Sequence, residues 1–274
     1  MTADGPDGPS VRFEGVTEPH PEPSAGPPVR EQVPVGTGTG PGVEPEPPDV
    51  ATVFGDRLPL ARAYVQLLAG DGVVRGLIGP REAGRLWTRH VLNCATPAEL
   101  IPEGAKVVDV GSGAGLPGVV VAIARPDCRV ILVEPLERRV RFLTEVVDQL
   151  GLANCRVVRS RALDAPDEAR EADVVISRAV APLGRLAAWC AGLARPGGLV
   201  LALKGATAQE ELDRDRPAMA AAGLRGAEVL RLTGTGGPAF VVRAERGRIP
   251  NGHRRSPHGV SARRGRQPGR GSVR

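Results

Sequence analysis

Val107-Val108-Asp109-Val110-Gly111-Ser112-Gly113-Ala114-Gly115-Leu116-Pro117-Gly118 places four glycines within eight residues, directly behind a β-branched run. Val119-Val120-Val121-Ala122-Ile123 follows. The pattern predicts a buried strand, a tight turn and a helix. Such a connection can bring backbone amides and a helix N-terminus against a ligand. Each glycine costs conformational entropy, so a cluster this dense points to a bound group rather than a plain connection.

Outward from this turn, short apolar runs alternate with helical ones. Strands are expected over 106–110, 129–134, 155–159, 173–177 and 199–204, and helices over 118–124, 137–150 and 183–194. Gly151, Pro182 and Pro196-Gly197-Gly198 mark boundaries. Apolar strands separated by helices indicate a parallel sheet covered on both faces. After a charged helix, 228–232 and 239–243 flank Gly234-Thr235-Gly236-Gly237 and read as an antiparallel pair at the sheet edge. A βαβ series ending in such a hairpin is the layout of the methyltransferase variant of the doubly wound fold. The fold class is therefore α/β, a Rossmann-like class I S-adenosylmethionine-dependent methyltransferase fold, with an N-terminal helical extension. In that extension Leu58, Ala61, Tyr64, Val65 and Leu68 recur at helical spacing. Residues 82–94 read as a further helix, ended by Pro97.

The two ends have a different composition. Residues 1–50 hold twelve prolines and a net charge of −7, from nine acids against two arginines. Residues 251–274 hold seven arginines and no acid, +7. Of the chain's net +5, the body between them therefore keeps +5 − (−7) − (+7) = +5. Neither end can bury enough apolar surface to offset its entropy. Four segments follow: a disordered acidic segment 1–50, a helical part 51–104, a core 105–247 and a disordered arginine-rich tail 248–274. The polarity suggests a polyanionic partner, nucleic acid first, against the alternative of a solvated tail. Cys94, Cys128, Cys155 and Cys190 stand at least 27 residues apart, which excludes zinc-ligand spacing, and no metal is expected. No apolar run reaches membrane-spanning length and the N-terminus lacks a signal-peptide core, so a cytoplasmic protein is expected.

Gly111, Gly113 and Gly115 form G-x-G-x-G, common in S-adenosylmethionine enzymes; Gly113, Gly115 and Gly118 form the dinucleotide G-x-G-x-x-G. Spacing alone does not choose. Asp109 favours the methyl donor, because a carboxylate suits its cationic amino acid end and would repel a pyrophosphate. Pro117 and the helical extension before the first strand point the same way. Glu134 ends the second strand, where a carboxylate accepts hydrogen bonds from a ribose diol in either cofactor class. At the end of the fourth strand Ser177-Arg178-Ala179 stands where adenine-methylating enzymes place Asn/Asp-Pro-Pro-aromatic. No nucleophilic cysteine for cytosine C5 chemistry is near. Arg178 suits a phosphate, a base edge or the donor's carboxylate, or else an ion pair with a nearby acid. Lys204 ends the fifth strand and is either a substrate contact or solvent-facing. His90 is the sole histidine of the body, in Arg89-His90-Val91-Leu92; a general base and a satisfied core residue are both open readings. Arg138, Arg139 and Arg141 oppose the dipole at a helix N-terminus, which phosphate contact or plain exposure explains.

Together, Arg89-His90-Val91-Leu92, Asp109 to Gly118, Arg138-Arg139-Val140-Arg141-Phe142-Leu143, Ile176-Ser177-Arg178-Ala179 and Leu203-Lys204-Gly205 resemble the bacterial RsmG (GidB) family over roughly residues 54–245. Leu77-Ile78-Gly79-Pro80-Arg81-Glu82 and Arg89 to Cys94 are similar to its actinobacterial branch. The resemblance implies S-adenosylmethionine-dependent methylation of N7 of one guanine in 16S rRNA, on the 30S subunit; a monomer is expected. It puts the donor on Gly111, Leu116, the backbone around Ala162 and Leu163, and Arg178. The reading of the residues themselves adds Gly113 and Glu134 to the donor site and makes Arg89, His90, Arg138, Arg139 and Lys204 the candidates for RNA contact. Arg178, Lys204 and His90 are the candidates for a part in catalysis. Leu163 and Asn93 depart from acids found in many relatives. Guanine N7 has a free lone pair and needs no base. The alternatives are a methyltransferase on another RNA, a protein or a small molecule, an NAD-dependent oxidoreductase, and an RNA-binding module without activity.

Overall fold

The computed structural model describes residues 42–178 and 180–247. Seven strands form one sheet in the order β3-β2-β1-β4-β5-β7-β6. They are β1 Lys106–Val110, β2 Arg129–Glu134, β3 Cys155–Arg159, β4 Ala172–Arg178, β5 Ala194–Lys204, β6 Leu224–Gly234 and β7 Gly237–Arg246. The first five run parallel, and β7 enters antiparallel between β5 and β6. Strand order reverses between β1 and β4, and the ends of both strands lie beside the glycine-rich turn. This is the switch point at which open α/β sheets take ligands.

Period-two alternation divides the strands between two cores. Val107, Val130, Leu132, Ile176 and Leu201 pack on one face with Tyr64, Val119 to Ile123, Phe142 and Leu143. Val108, Ile131, Val133, Val175 and Val200 pack on the other with Leu183, Leu186, Leu212 and Met219. The helices are α1 Val50–Phe54, α2 Leu58–Leu67, α3 Asn93–Ala95, α4 Gly118–Ala124, α5 Glu137–Gln149, α6 Leu183–Ala191 and α7 Ala208–Ala221.

Beyond shifted ends of α6, β5, β6 and β7, the structure differs from the sequence reading at three places. The expected helix over 82–94 is broken into a 3₁₀ segment Pro80–Arg85, wide π turns over Leu86–Leu92, and only one α turn, α3. Pro97 does not end it, since the chain continues as a 3₁₀ turn Thr96–Leu100 in which Pro97 takes an early position that needs no N–H donor. Pro196-Gly197-Gly198 lies inside β5 instead of bounding it, and the register slips between Ala172 and Val174 to accommodate it. Of the segment 1–50, residues 1–41 lie outside the described residues, as do 248–274. Within 42–50, Val50 is buried, the Glu44 carboxylate accepts the Thr88 N–H at 2.7 Å, and Glu46 pairs with Arg62.

The β6–β7 turn leans on the broken segment. A Cβ at Gly236 would lie 2.6 Å from the Thr88 carbonyl oxygen and 2.7 Å from Leu92 Cβ, so only glycine allows this approach. The hairpin thus braces residues 88–93 beside the C-terminal edge of the sheet.

Candidate active site

The glycine turn is less bare than its composition suggests. Gly111 N–H donates to the Val133 carbonyl at 2.8 Å, Gly115 and Leu116 N–H both donate to the Ser112 carbonyl, and Gly113 N–H donates to Glu134 Oε2 at 3.0 Å. Asp109 is fully buried beneath the turn, and its Oδ2 accepts the Gly118 N–H at 3.0 Å. The carboxylate thereby satisfies a donor at the start of α4. Among the described residues its Oδ1 is buried without a hydrogen-bond partner, and burial pushes the carboxyl up to about 7. A strand-end acid that caps the following helix from below looks, in sequence, the same as one that faces a ligand.

Among the described residues the crest of the turn stays open. Gly113 has φ +61°, and a Cβ there would meet only the Gly111 carbonyl oxygen, at 3.8 Å. A Cβ at Gly118 would press on Asp109 and Leu132. Glu134, at the end of β2, is nearly fully buried. Oε1 accepts the Leu136 N–H at 3.0 Å, and Arg139 Nη1 lies 3.6 Å from Oε2. Each carboxylate oxygen accepts more than one bond, so capacity for a diol remains. Open backbone beside a fixed carboxylate fits the ribose and amino acid parts of a nucleoside sulfonium. Ala162 and Leu163 form a 3₁₀ turn, Ala162–Asp164, past the end of β3, with Leu163 exposed.

Arg178 ends β4. The register pairs Asp109 with Ile176, so Gly111 and Arg178 follow at the same level two residues on. Among the described residues it forms no ion pair with an acid. Nη2 instead lies 2.8 Å from His90 Nδ1, and Nη1 donates to Cys94 Sγ at 2.9 Å. His90 Nε2 in turn lies 2.8 Å from Glu82 Oε2, which also pairs with Arg89 Nε at 3.2 Å. Burial first, and the Arg178 charge second, pull His90 down to about 4, so it is neutral at physiological pH. The structure therefore brings His90 and Arg178 into contact and places exposed Arg89 at the rim.

Lys204 is not solvent-facing. Its ammonium is buried, donating to the Ala181 carbonyl and to Glu211 Oε1, each at 2.9 Å. Glu211 Oε1 also accepts the Leu183 N–H at the start of α6, so the trio staples the loop after Arg178. At the start of α5, Arg138 is exposed and Arg139 turns toward Glu134. Asn93 reaches the Pro238 carbonyl at 3.4 Å. A pocket lined by Arg225, Arg243 and Glu245 opens at the opposite end of the sheet, away from this constellation.

Glu82, Cys94 and Tyr64 carry more of the site than their sequence context signalled. Tyr64 O–H donates to the Ala114 carbonyl at 2.8 Å and supports the turn from below. Nothing in a helical apolar stripe distinguishes such a tyrosine from core packing. Glu82 precedes His90 by eight residues, a spacing that an unbroken α-helix would not bring into contact.

The family model GidB, rRNA small subunit methyltransferase G, matches residues 57–236. Proteins named ribosomal RNA small subunit methyltransferase G are similar over most of the chain. The one from Mycobacterium sp. (strain JLS) is 51% identical over 222 residues, covering 80% of this chain and 97% of that one. The one from Salinispora arenicola (strain CNS-205) is 52% identical over 238 residues, covering 82% and 96%. The one from Salinispora tropica is 61% identical over 176 residues, covering 61% and 73%.

Proposed function

The chain belongs to the GidB family, and from that premise we propose that it transfers a methyl group from S-adenosylmethionine to N7 of one guanine of small-subunit ribosomal RNA. The observation that carries the reading is Arg178, a fixed cation held beside the glycine turn by a neutral histidine and a thiol. When bound, S-adenosylmethionine supplies a sulfonium methyl: the N7 lone pair forms the new N–C bond, the C–S bond breaks with its electrons going to sulfur, and no proton moves. The protein's share is alignment and exclusion of water, which can lower the barrier by roughly 7–11 kcal/mol. Glu134 and the open crest at Gly113 hold the nucleoside end of the donor, with Ala162 and Leu163 bordering it. Gly111 and Leu116 frame its amino acid end. The methylated purine is cationic, so a guanidinium serves an anionic oxygen better than the purine edge. Arg178 accordingly takes the donor's carboxylate.

Arg89, Arg138 and Arg139 lie on the RNA side, and the substrate is the rRNA within a 30S particle, met by a monomer in the cytoplasm. Among the described residues no helix is long and apolar enough to cross a membrane. The test is to map N7-methylguanine in 16S rRNA from a strain lacking this gene and from the same strain carrying it. One guanine should lose and regain its methyl. Unchanged modification in both strains overturns the reading. A methyl on another base, or label passing only to small molecules, would replace the substrate.

A further inference from the structure

We infer that His90, steadied by Glu82, is the positioning residue that aims the Arg178 guanidinium at the donor's carboxylate. The inference rests on the methyl-transfer reading above and names a residue that works through another. Arginine has no acceptor and stays charged, so it can only donate. His90 Nδ1, 2.8 Å from Nη2, must therefore be the accepting, unprotonated nitrogen. The ring's one proton then sits on Nε2 and donates to Glu82 Oε2 at 2.8 Å. Three residues thus fix one tautomer. Glu82 remains anionic beside Arg89 and Arg85, and its carboxyl is held below the usual range, the bond from His90 being the foremost lowering contact.

Geometry adds a second grip. His90 and Cys94 lie four residues apart across the π-to-α junction, and each holds a different terminal nitrogen of the same planar group. Two fixed points set the plane of a rigid fork. The Nε–H and one N–H on each terminal nitrogen are not used in these bonds. A direct carboxylate partner would have neutralised the guanidinium. A neutral imidazole orients it and leaves its whole charge for an anion. The i→i+5 winding of Leu86–Leu92 and the hairpin pressed on Thr88 and Leu92 hold His90 where this is possible.

Two variants of the full chain separate aiming from packing. The amide oxygen of asparagine stands close to where His90 Nδ1 is, and glutamine's amide close to Nε2. His90→Asn should keep the acceptor for Arg178, and His90→Gln should keep the link to Glu82 but lose Arg178. We expect calorimetric affinity for S-adenosylmethionine to stay within about 3-fold for His90→Asn. For His90→Gln it should fall by at least about 10-fold, with methyl transfer to undermethylated 30S particles down about 100-fold, the cost of roughly an ångström of misplacement. Combining His90→Gln with Arg178→Ala should be no worse than Arg178→Ala alone. Nitrogen shifts of the imidazole in the wild type should show the proton on Nε2. Equal losses in the two variants, independent effects in the double variant, or a proton on Nδ1 overturns the inference. Normal donor binding by a wild type inactive on particles instead overturns the substrate reading, while calorimetry and nitrogen shifts still decide the role of His90.

Discussion

Tyr64 sends its hydroxyl fifty residues along the chain to the Ala114 carbonyl, inside the glycine turn. Tyr64→Phe leaves that buried carbonyl unpaired, at a cost of about 1–3 kcal/mol. A lowered denaturant midpoint together with weaker S-adenosylmethionine binding is expected, and an unchanged midpoint would show that the bond adds nothing. Asp109 and His90 bias stability in opposite directions with pH. Burial raises the Asp109 carboxyl to about 7 from its ordinary 3.8. Its contribution is complete at low pH and is lost as pH rises through 7, because only the unfolded chain releases the proton early. His90 is lowered to about 4 from 6.5, so its contribution is complete above 6.5 and is lost as pH falls toward 4. In the Asp109→Asn variant the first trend disappears. Urea denaturation should show the variant gaining on the wild type by up to about 4 kcal/mol between pH 4 and 7. Parallel pH profiles for the two proteins would contradict the burial argument.

Between elements, two contacts hold the C-terminal edge of the sheet. Lys204 on β5 joins Glu211 on α7 and the Ala181 carbonyl in the loop before α6. Lys204→Met removes the buried ammonium and leaves the mostly buried Glu211 carboxylate with only the Leu183 N–H and Arg214 at 3.9 Å, which should cost about 3 kcal/mol, read as an earlier unfolding midpoint. An unaltered midpoint would return Lys204 to the surface role that its strand-end position suggested. The β6–β7 turn is the other contact. Gly236→Ala sets a methyl against the backbone of Thr88, which cannot swing aside as a side-chain end can. Overpacking of this kind costs about 1–3 kcal/mol. Since the displaced segment carries His90, methyl transfer should fall by more than the folded fraction does. Loss of activity strictly in step with unfolding would separate the hairpin from the site.

Across the molecule, charge is graded from −7 at the N-terminal fifty residues to +7 over the last twenty-four. Aromatic residues make up only 3% of the chain, so contact with RNA rests on phosphates rather than on stacking. Binding to rRNA should weaken steeply with salt. Arg138 is exposed and Arg141 is largely so, with Glu137 3.6 Å from it. Replacing both with alanine should flatten the log–log salt slope by about 1.4, roughly 0.7 per single-stranded phosphate contact. A slope equal to wild type would remove the start of α5 from the RNA side.

The strands and their order of appearance were legible in sequence because buried parallel strands are apolar throughout and glycines and prolines fall between them. The bounds predicted for β1, β2, β3 and α4 are those of the structure. Local composition also placed Glu134, Arg178 and Lys204 at strand ends. What those ends touch was decided only by tertiary structure. Whether a strand-end charge meets solvent, a ligand or a buried partner depends on where the surrounding chain folds back. His90 meets Arg178 from 88 residues away, the Ala181 carbonyl meets Lys204 from 23, and Gly118 folds back over Asp109. The broken helix shows the same limit: the periodicity of 82–94 suited an α-helix, but the chain winds as 3₁₀ and π turns over 80–92, with the β6–β7 turn pressed on Thr88 and Leu92. That winding brings Glu82 to His90, and His90 and Cys94 hold a single guanidinium.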